Sequence, residues 1–356
     1  MNRLQSKLEK IGRDPKITAK SVGLRYSVNI NKGYFRYQTE GGFFYVDDQG
    51  KKIRSKALLT RFQKLVLPPA WENVWISPHE NGHLQATGID AKGRKQYRYH
   101  AQWNKIRNQS KFYKLLGFAK ALPVIRKQVD ADLARNGLPY EKVLALVVKL
   151  IELTNIRIGN DAYKKLYGSF GLTTMQDQHV KFEKSKVWFE FIGKKGIKHK
   201  MGLHSKKLVN LIKKCKDIPG QDLFQYYTPD GQHCCIGSSD VNNYLKAITG
   251  EDYTAKDFRA WAGSVKALEC FRKLERPESQ TEYRRRVVEV LDEVASNLGN
   301  TRAVCKKYYV HPTVMAAFEN GNIAKYPPNN RRRKLDPEEY ALVDLLENEK
   351  IAEVLG

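Results

Sequence analysis

Apolar and polar residues alternate with one period in the first third of the chain and with another in the rest. Up to Tyr99, short runs rich in β-branched and aromatic residues are separated by turn formers. The pattern predicts strands over 24–29, 34–39, 43–47, 74–76 and 84–87. Turns are predicted at Asn31-Lys32-Gly33, Gly41-Gly42 and Asp48-Gln49-Gly50. One helix, 58–67, interrupts the strands and is stopped by Pro68-Pro69. Residues 1–22 are basic and polar and read as loose or helical.

From about Ala101 the spacing becomes helical. A basic segment, 104–117, is expected to carry the hinge between two domains. Helical periodicity follows over 123–135 and 140–153, where Val143, Leu144, Val147, Leu150 and Ile151 form a broad apolar stripe. Three strands are predicted at 180–182, 187–192 and 197–201, with Gly193-Lys194-Lys195-Gly196 as a turn. Helices resume at 206–216, 239–248, 255–274 and 281–298. Thr254 caps the third of these, Gly299 closes the fourth, and Arg284-Arg285-Arg286 lies exposed on it. A last helix starts with Asp336 as cap and Pro337 at its first position, then runs to about residue 354 with an acidic face. It follows Arg331-Arg332-Arg333-Lys334, and its expected role is packing or regulation. The fold class is therefore α+β. Residues 1–105 form a small, mostly antiparallel β domain, and 106–356 a larger, mainly α-helical domain with a three-stranded β-hairpin region.

The chain of 356 residues is long enough for two domains, and its 41% hydrophobic content is ordinary. The net charge of +25 is not. It implies an anionic partner, most often a polyphosphate backbone, although a ribosomal or membrane-surface protein has the same balance. Aromatic content of 11% and the long periodic segments exclude a disordered basic tail. Five cysteines, an odd number with no CxxC pair, argue against structural zinc and a disulfide framework. They read as thiols of a reducing compartment. The first residues lack the apolar core of a secretion signal, and the longest apolar run, near 143–148, is too short to span a bilayer.

The candidate chemistry lies in four separated stretches. Gly299 to Pro312 sets a tyrosine among cations. A phenol, with a pKa of about 10, is a weak nucleophile at neutral pH. Nearby positive charge favours the phenolate and would also neutralise a phosphodiester under attack. Alone, the stretch reads equally as a basic amphipathic helix with one core tyrosine. Asn155-Ile156-Arg157-Ile158-Gly159-Asn160 offers a guanidinium fork near a glycine, or simply a cationic, glycine-capped helix end. Lys194 sits at a hairpin tip, where most lysines serve solubility but one can protonate an alkoxide. Lys256, Arg259 and Gly263 share a helix face beside the small residues Ala260, Ala262 and Ser264. That pattern suits close approach to DNA or close helix packing. In the first domain, Leu67-Pro68-Pro69-Ala70-Trp71 and the stretch from Gly88 to His100 stand out. In the second of these, Gln96, Arg98 and His100 share one strand face, and Lys95, Tyr97 and Tyr99 the other. Such a strand suits phosphate and base-edge contacts, or is merely exposed and amphipathic.

The order Arg157, Lys194, Arg259, Tyr309 resembles the catalytic set of the type IB DNA topoisomerases, in the branch of bacterial and poxvirus enzymes, and the resemblance extends from about Leu67 to Pro312. It implies that Tyr309 attacks one strand's phosphodiester, leaving a 3′-phosphotyrosine and a free 5′-hydroxyl. Arg157 and Arg259 would neutralise the transition state, and Lys194, with Lys195 as fallback, would protonate the leaving oxygen. Asn300 stands where poxvirus and eukaryotic relatives carry histidine; its amide can donate a hydrogen bond but supplies no charge. Tyr308 competes as nucleophile, but the family's spacing and the Tyr-x-His-Pro ending favour Tyr309. Nine residues of straight helix span about 13.5 Å, so a break is expected between Asn300 and Tyr309. The two amino-terminal stretches resemble the family's DNA clamp, placing Arg94, Gln96, Tyr97 and Tyr99 on duplex DNA. Tyr163 and Lys256 complete the expected DNA-contacting set.

The resemblance further implies a monomer that clamps and relaxes supercoiled double-stranded DNA without ATP, metal or any cofactor. In accord, the chain has no GxxxxGK[ST] loop and no metal-ligand spacing. No membrane association is expected, and the location implied is cytoplasmic, with the nucleoid. A tyrosine recombinase shares the chemistry, but recombinases usually carry histidine where this chain has Lys256. A non-catalytic duplex DNA-binding protein is the alternative from another class.

Overall fold

Alternation in the first hundred residues builds one antiparallel sheet. The computed structural model describes residues 11, 14–27, 32–91, 93–330 and 334–349. The chain divides into two compact units, Met1–Lys114 and Leu115–Gly356. In the first, helix α1 (Pro15–Ser21) is capped by the Asp14 carboxylate. Five strands follow: β1 (Tyr34–Thr39), β2 (Gly42–Asp47), β3 (Glu72–Ile76), β4 (Leu84–Ile89) and β5 (Lys95–Tyr99), in the order β2-β1-β3-β4-β5. All neighbours are antiparallel. Helix α2 (Lys56–Lys64) lays Phe62 on Val74, Ile76 and Ala86.

Two expectations for this unit are corrected. The strand at 24–29 does not form in its described part, where Arg25 makes only an isolated bridge to Gly82. Its apolar residues are used as anchors instead: Leu24 is buried and Tyr26 stacks on His83. Helix α2 ends at Lys64 rather than at residue 67. The backbone turns left-handed at Val66, and proline at 68 disfavours helix in the residue before it. The following stretch also has a structural task. Arg36 is buried and donates to the carbonyls of Pro68 at 2.9 Å and Trp71 at 2.8 Å. The Trp71 ring covers Gly88 so closely that a Cβ there would lie 2.7 Å from it.

A single helix, α3 (Ala101–Leu133), replaces the two segments expected at 104–117 and 123–135. Leu115, Phe118, Leu122, Ile125, Val129 and Leu133 are buried at helical spacing, and this burial carries the helix through Pro123. Helix α4 (Tyr140–Thr154) is buried over nearly all of its surface rather than along one stripe, and ends on a left-handed Asn155. A short helix α5 (Asp161–Tyr167) follows, then the antiparallel strands β6 (Val180–Glu183), β7 (Lys186–Ile192) and β8 (Lys198–His204). Next come α6 (Lys206–Lys216), a small hairpin of β9 (Gln225–Tyr227) and β10 (His233–Cys235), and α7 (Ser238–Thr249). The remaining helices are α8 (Ala255–Arg272), α9 (Gln280–Leu298), α10 (Arg302–Tyr308), α11 (Pro312–Glu319) and α12 (Pro337–Asn348). The architecture is α+β with antiparallel sheets.

On α9, Arg284 and Arg285 are exposed as expected, but Arg286 is half-buried and pairs with Glu282 at 2.6 Å. The acidic start of α12 turns inward: Glu339 is buried against Arg126 and Trp261. The arginines at 331–333 and the expected end of the last helix lie outside the described residues. All five cysteines are free thiols. Among the described residues no helix is long and apolar enough to cross a membrane.

Candidate active site

The chain leaves α4 through Asn155 and runs extended past Arg157 before α5 begins. This segment is pinned from outside. The Leu172 amide donates to the Arg157 carbonyl at 2.9 Å and the Thr173 amide to the Ile158 carbonyl at 2.6 Å. Gly159 is required here: its φ is +107° and a Cβ would lie 2.9 Å from the hydroxyls of Thr173 and Thr174. The cap of the helix is thus Asn155, and Gly159 is the point where two loops touch.

Arg157 reaches the carboxy-terminal end of α9. It donates to the Gly299 carbonyl at 3.3 Å and to the Asn300 side-chain oxygen. A break occurs, but at Asn300 itself rather than farther along toward Tyr309, since residues 302–308 form one helix. Gly299 ends α9 with a left-handed φ of 57°, Asn300 is non-helical, and Thr301 caps α10. Tyr309 follows the last turn of α10, its amide donating to the Cys305 carbonyl at 2.9 Å.

Arg259 is 3% exposed. It donates to the carbonyls of Leu298, at 2.7 Å, and Asn155, and its guanidinium lies 5.1 Å from the Tyr309 ring centroid. Its Nε is buried without a partner. Burial, then the adjacent Arg259 charge, lower the Arg157 pKa; Tyr309 and Cys305 oppose them. The same charges act on two neighbours. Burial pushes the Cys305 thiol up to about 11 against the pull of both arginines. His199 is lowered, first by burial and then by Arg157 and Arg259.

Arg157, Arg259, His199, Gly299 and Asn300 line a cleft of about 350 Å³, and no carboxylate is among its described lining residues. Two guanidiniums without a lining counter-ion favour an anion of phosphate chemistry. Lys194 is not in that lining. It lies on the turn between β7 and β8, 5.7 Å from the Tyr163 ring centroid, in a second cleft of about 560 Å³. Arg157 lines both clefts, and Lys195, Tyr167 and Phe170 line the second.

Lys256 sits one turn from Arg259 on α8, yet its ammonium lies over Tyr308, 5.4 Å from the centroid, with Lys307 at 5.3 Å. The two adjacent tyrosines therefore have different surroundings: lysines at Tyr308, a buried arginine at Tyr309. In the first unit, Arg94 and Gln96 are both held by Asp90, at 2.6 and 2.9 Å. On the edge strand β5, Tyr97 and Tyr99 stack at 6.0 Å, and Tyr97 is 49% exposed.

Two contributors escaped the sequence reading. Ser264 is fully buried and donates to the Tyr309 carbonyl at 3.1 Å, while accepting from the His311 amide at 2.9 Å. Its small size was noticed, but nothing local indicates that it fixes Tyr309. His199 lies opposite Phe191 in the β7–β8 register and stacks on it at 5.0 Å.

Comparison with known proteins puts the chain among the DNA topoisomerases as a class. The family model for the eukaryotic DNA topoisomerase I catalytic core matches residues 100–334, and that for the bacterial DNA topoisomerase IB N-terminal domain matches 42–90. DNA topoisomerase 1B of Acanthamoeba polyphaga mimivirus is 28% identical over 303 residues, covering 82% of this chain and 89% of the relative. Vaccinia virus (strain Copenhagen) DNA topoisomerase 1B is 22% identical over 243 residues, covering 66% and 72%. Monkeypox virus DNA topoisomerase I is 22% identical over 240 residues, with the same coverages. The catalytic-core match spans more than half of the chain, which belongs to the type IB DNA topoisomerase family, in its viral and bacterial branch.

Proposed function

We propose that the chain relaxes supercoiled duplex DNA by cutting one strand, letting it rotate and resealing it, without ATP or metal. Tyr309 Oη bonds to the scissile phosphorus and the phenolic proton leaves to solvent. The bond from phosphorus to the 5′ oxygen breaks, and Lys194 gives that oxygen a proton. Arg157 and Arg259 neutralise the non-bridging oxygens, and Asn300 adds one amide hydrogen bond. The 3′-phosphotyrosine retains the energy of the diester, so the free 5′-hydroxyl reseals the strand by the reverse step. Residues 1–105 and 106–356 act as the two halves of a clamp. The Arg94, Gln96, Tyr97 and Tyr99 cluster, with Tyr163 and Lys256, contacts the duplex. The chain works as a monomer on double-stranded DNA, in the cytoplasm with the nucleoid.

The observation that carries this reading is the contact of Arg157 with Asn300 at a cleft with no carboxylate among its described lining residues, and the Arg259 guanidinium, which lines the same cleft and lies 5.1 Å from the centroid of the buried Tyr309 ring. The test is relaxation of a supercoiled plasmid in chelator without ATP, alongside capture of a denaturant-resistant protein–DNA adduct. Wild type relaxes the plasmid and forms the adduct; Tyr309→Phe binds duplex but does neither. Loss of the adduct on Tyr308→Phe alone would move the nucleophile by one residue. Duplex binding with no adduct in wild type would leave a binding protein, and joining of two DNA segments a recombinase.

A further inference from the structure

Gly193 has φ −93° and ψ −166°, a backbone that any residue adopts without strain. What excludes a side chain there is the His199 ring: a Cβ at Gly193 would lie 2.6 Å from both Cδ2 and Nε2. The opposite edge of the same ring abuts Gly299, where a Cβ would lie 3.0 Å from Nδ1 and closer still to Cε1. Stacking on Phe191 fixes the ring's plane. One imidazole therefore fills the space between two glycines. The first directly precedes Lys194 and the second directly precedes Asn300. Gly299 is also the residue whose carbonyl accepts from Arg157.

We propose that His199 is a positioning residue that sets the Lys194 turn against the Asn300 turn, so that proton donor and phosphate-binding groups meet the same diester. This rests on the topoisomerase reading, with Lys194 as the acid. The ring acts by its shape. The charges acting on it are the guanidiniums of Arg157 and Arg259; Lys198 and Lys200 line the same cleft, and no carboxylate is among its described lining residues. Without the ring, the Lys194 turn loses its stop and the ammonium its aim.

The test uses the leaving group. When sulfur replaces the bridging 5′ oxygen at the scissile phosphate, the departing thiolate, with a thiol pKa of about 8.5, needs no proton. General-acid assistance is worth about 10²–10⁴-fold. Lys194→Ala is the reference: it should slow single-turnover cleavage of ordinary DNA far more than of sulfur-substituted DNA. His199→Ala should show the same split, about tenfold or more on oxygen and a small effect on sulfur, with duplex affinity retained. His199→Phe, which restores a ring, should recover most of the loss. Equal slowing on both substrates, no slowing on either, or failure of phenylalanine to rescue would overturn the proposal. If Lys194→Ala itself shows no split, the assignment of Lys194 as acid fails, and this proposal falls with it. If only His199→Ala lacks the split, the general-acid reading stands and the positioning role is wrong.

Discussion

The Arg259 guanidinium faces the Tyr309 ring at 5.1 Å while holding the carbonyl of Leu298 at 2.7 Å and that of Asn155. One buried side chain thus joins the end of α4, the end of α9 and the proposed nucleophile. It is a structural tie and, in the proposed reaction, also a charge at the phosphate. A lysine keeps the charge but cannot span two carbonyls with one ammonium while presenting a flat face to a ring. Arg259→Lys is expected to slow adduct formation by about 10²–10³-fold. It should also lower unfolding free energy by about 1–3 kcal/mol, through a buried carbonyl left unpaired. Rapid-quench cleavage and denaturant unfolding measure the two effects, and a wild-type value for either removes that half of the role.

Gly263, one turn along α8 from Arg259, lies under Tyr309. A Cβ there would be 2.9 Å from the Tyr309 carbonyl oxygen and 3.1 Å from its Cβ. Glycine inside a helix is ordinarily worse than alanine by about 1 kcal/mol. Here alanine must push the tyrosine away, against the Ser264 hydrogen bond that holds the same carbonyl. Gly263→Ala is expected to leave duplex affinity intact and slow cleavage by about tenfold to a hundredfold, the scale of a misplacement near 1 Å. Cleavage at the wild-type rate would mean that the close approach has no catalytic consequence.

How much of this could be read in the chain depended on how local each determinant is. Helix α8 begins at its expected Thr254 cap, and α9 ends at the expected Gly299, because caps and periodicity lie within a few neighbouring residues. Of the residues that the order of cations and tyrosine singled out, Arg157 bonds Asn300 and Arg259 faces the Tyr309 ring. Lys194 proved to open on a neighbouring cleft. The two segments expected at 104–117 and 123–135 are one helix, because burial of the stripe carries it through Pro123, a residue that ordinarily breaks a helix interior. Helix α5 buries no residue and β9 and β10 have three residues each, so neither leaves a periodic trace. Ser264 and His199 act on residues distant in sequence, and nothing in their own neighbourhoods marks them.

Acid should weaken the second unit through two histidines. Burial lowers the pKa of His179, with Lys164 adding to it, and of His199, with Arg157 and Arg259 adding to it. His179 Nδ1 also accepts from the Gln176 amide, which requires that nitrogen to be unprotonated. Each folded value thus lies below the unfolded value of about 6.5, and between the two the unfolded chain binds more protons. Stability is then full above about pH 6.5 and declines as the pH falls through the lower folded values. The denaturant midpoint should drop between about pH 7.5 and about pH 5.5, above the range where carboxylates titrate. His199→Gln should flatten that dependence. A midpoint that ignores pH over this interval contradicts the assignment.

The most buried carboxylate of the last helix ties it to two others. Glu339 is 6% exposed and accepts from Arg126 at 2.8 and 2.9 Å, from Trp261 Nε1 at 2.8 Å and from the Asp336 amide at 2.9 Å. Arg126 also binds Glu152 at 2.6 Å, so three helices share one ion network. Removing one member of a buried pair leaves an uncompensated charge, worth about 3–5 kcal/mol. Glu339→Gln keeps the volume but turns an amide nitrogen toward donors, and the loss in unfolding free energy is expected in that range. Glu338→Gln, at a more exposed pair with Arg272, should lose far less. Catalysis should separate from stability. Trp261 is two residues from Arg259, so the two side chains point about 200° apart on α8, and the network lies on the side away from the Tyr309 ring. While Glu339→Gln remains folded it should form the adduct at close to the wild-type rate. A large fall in that rate below the unfolding transition would show that α12 acts on the site as well as on the fold.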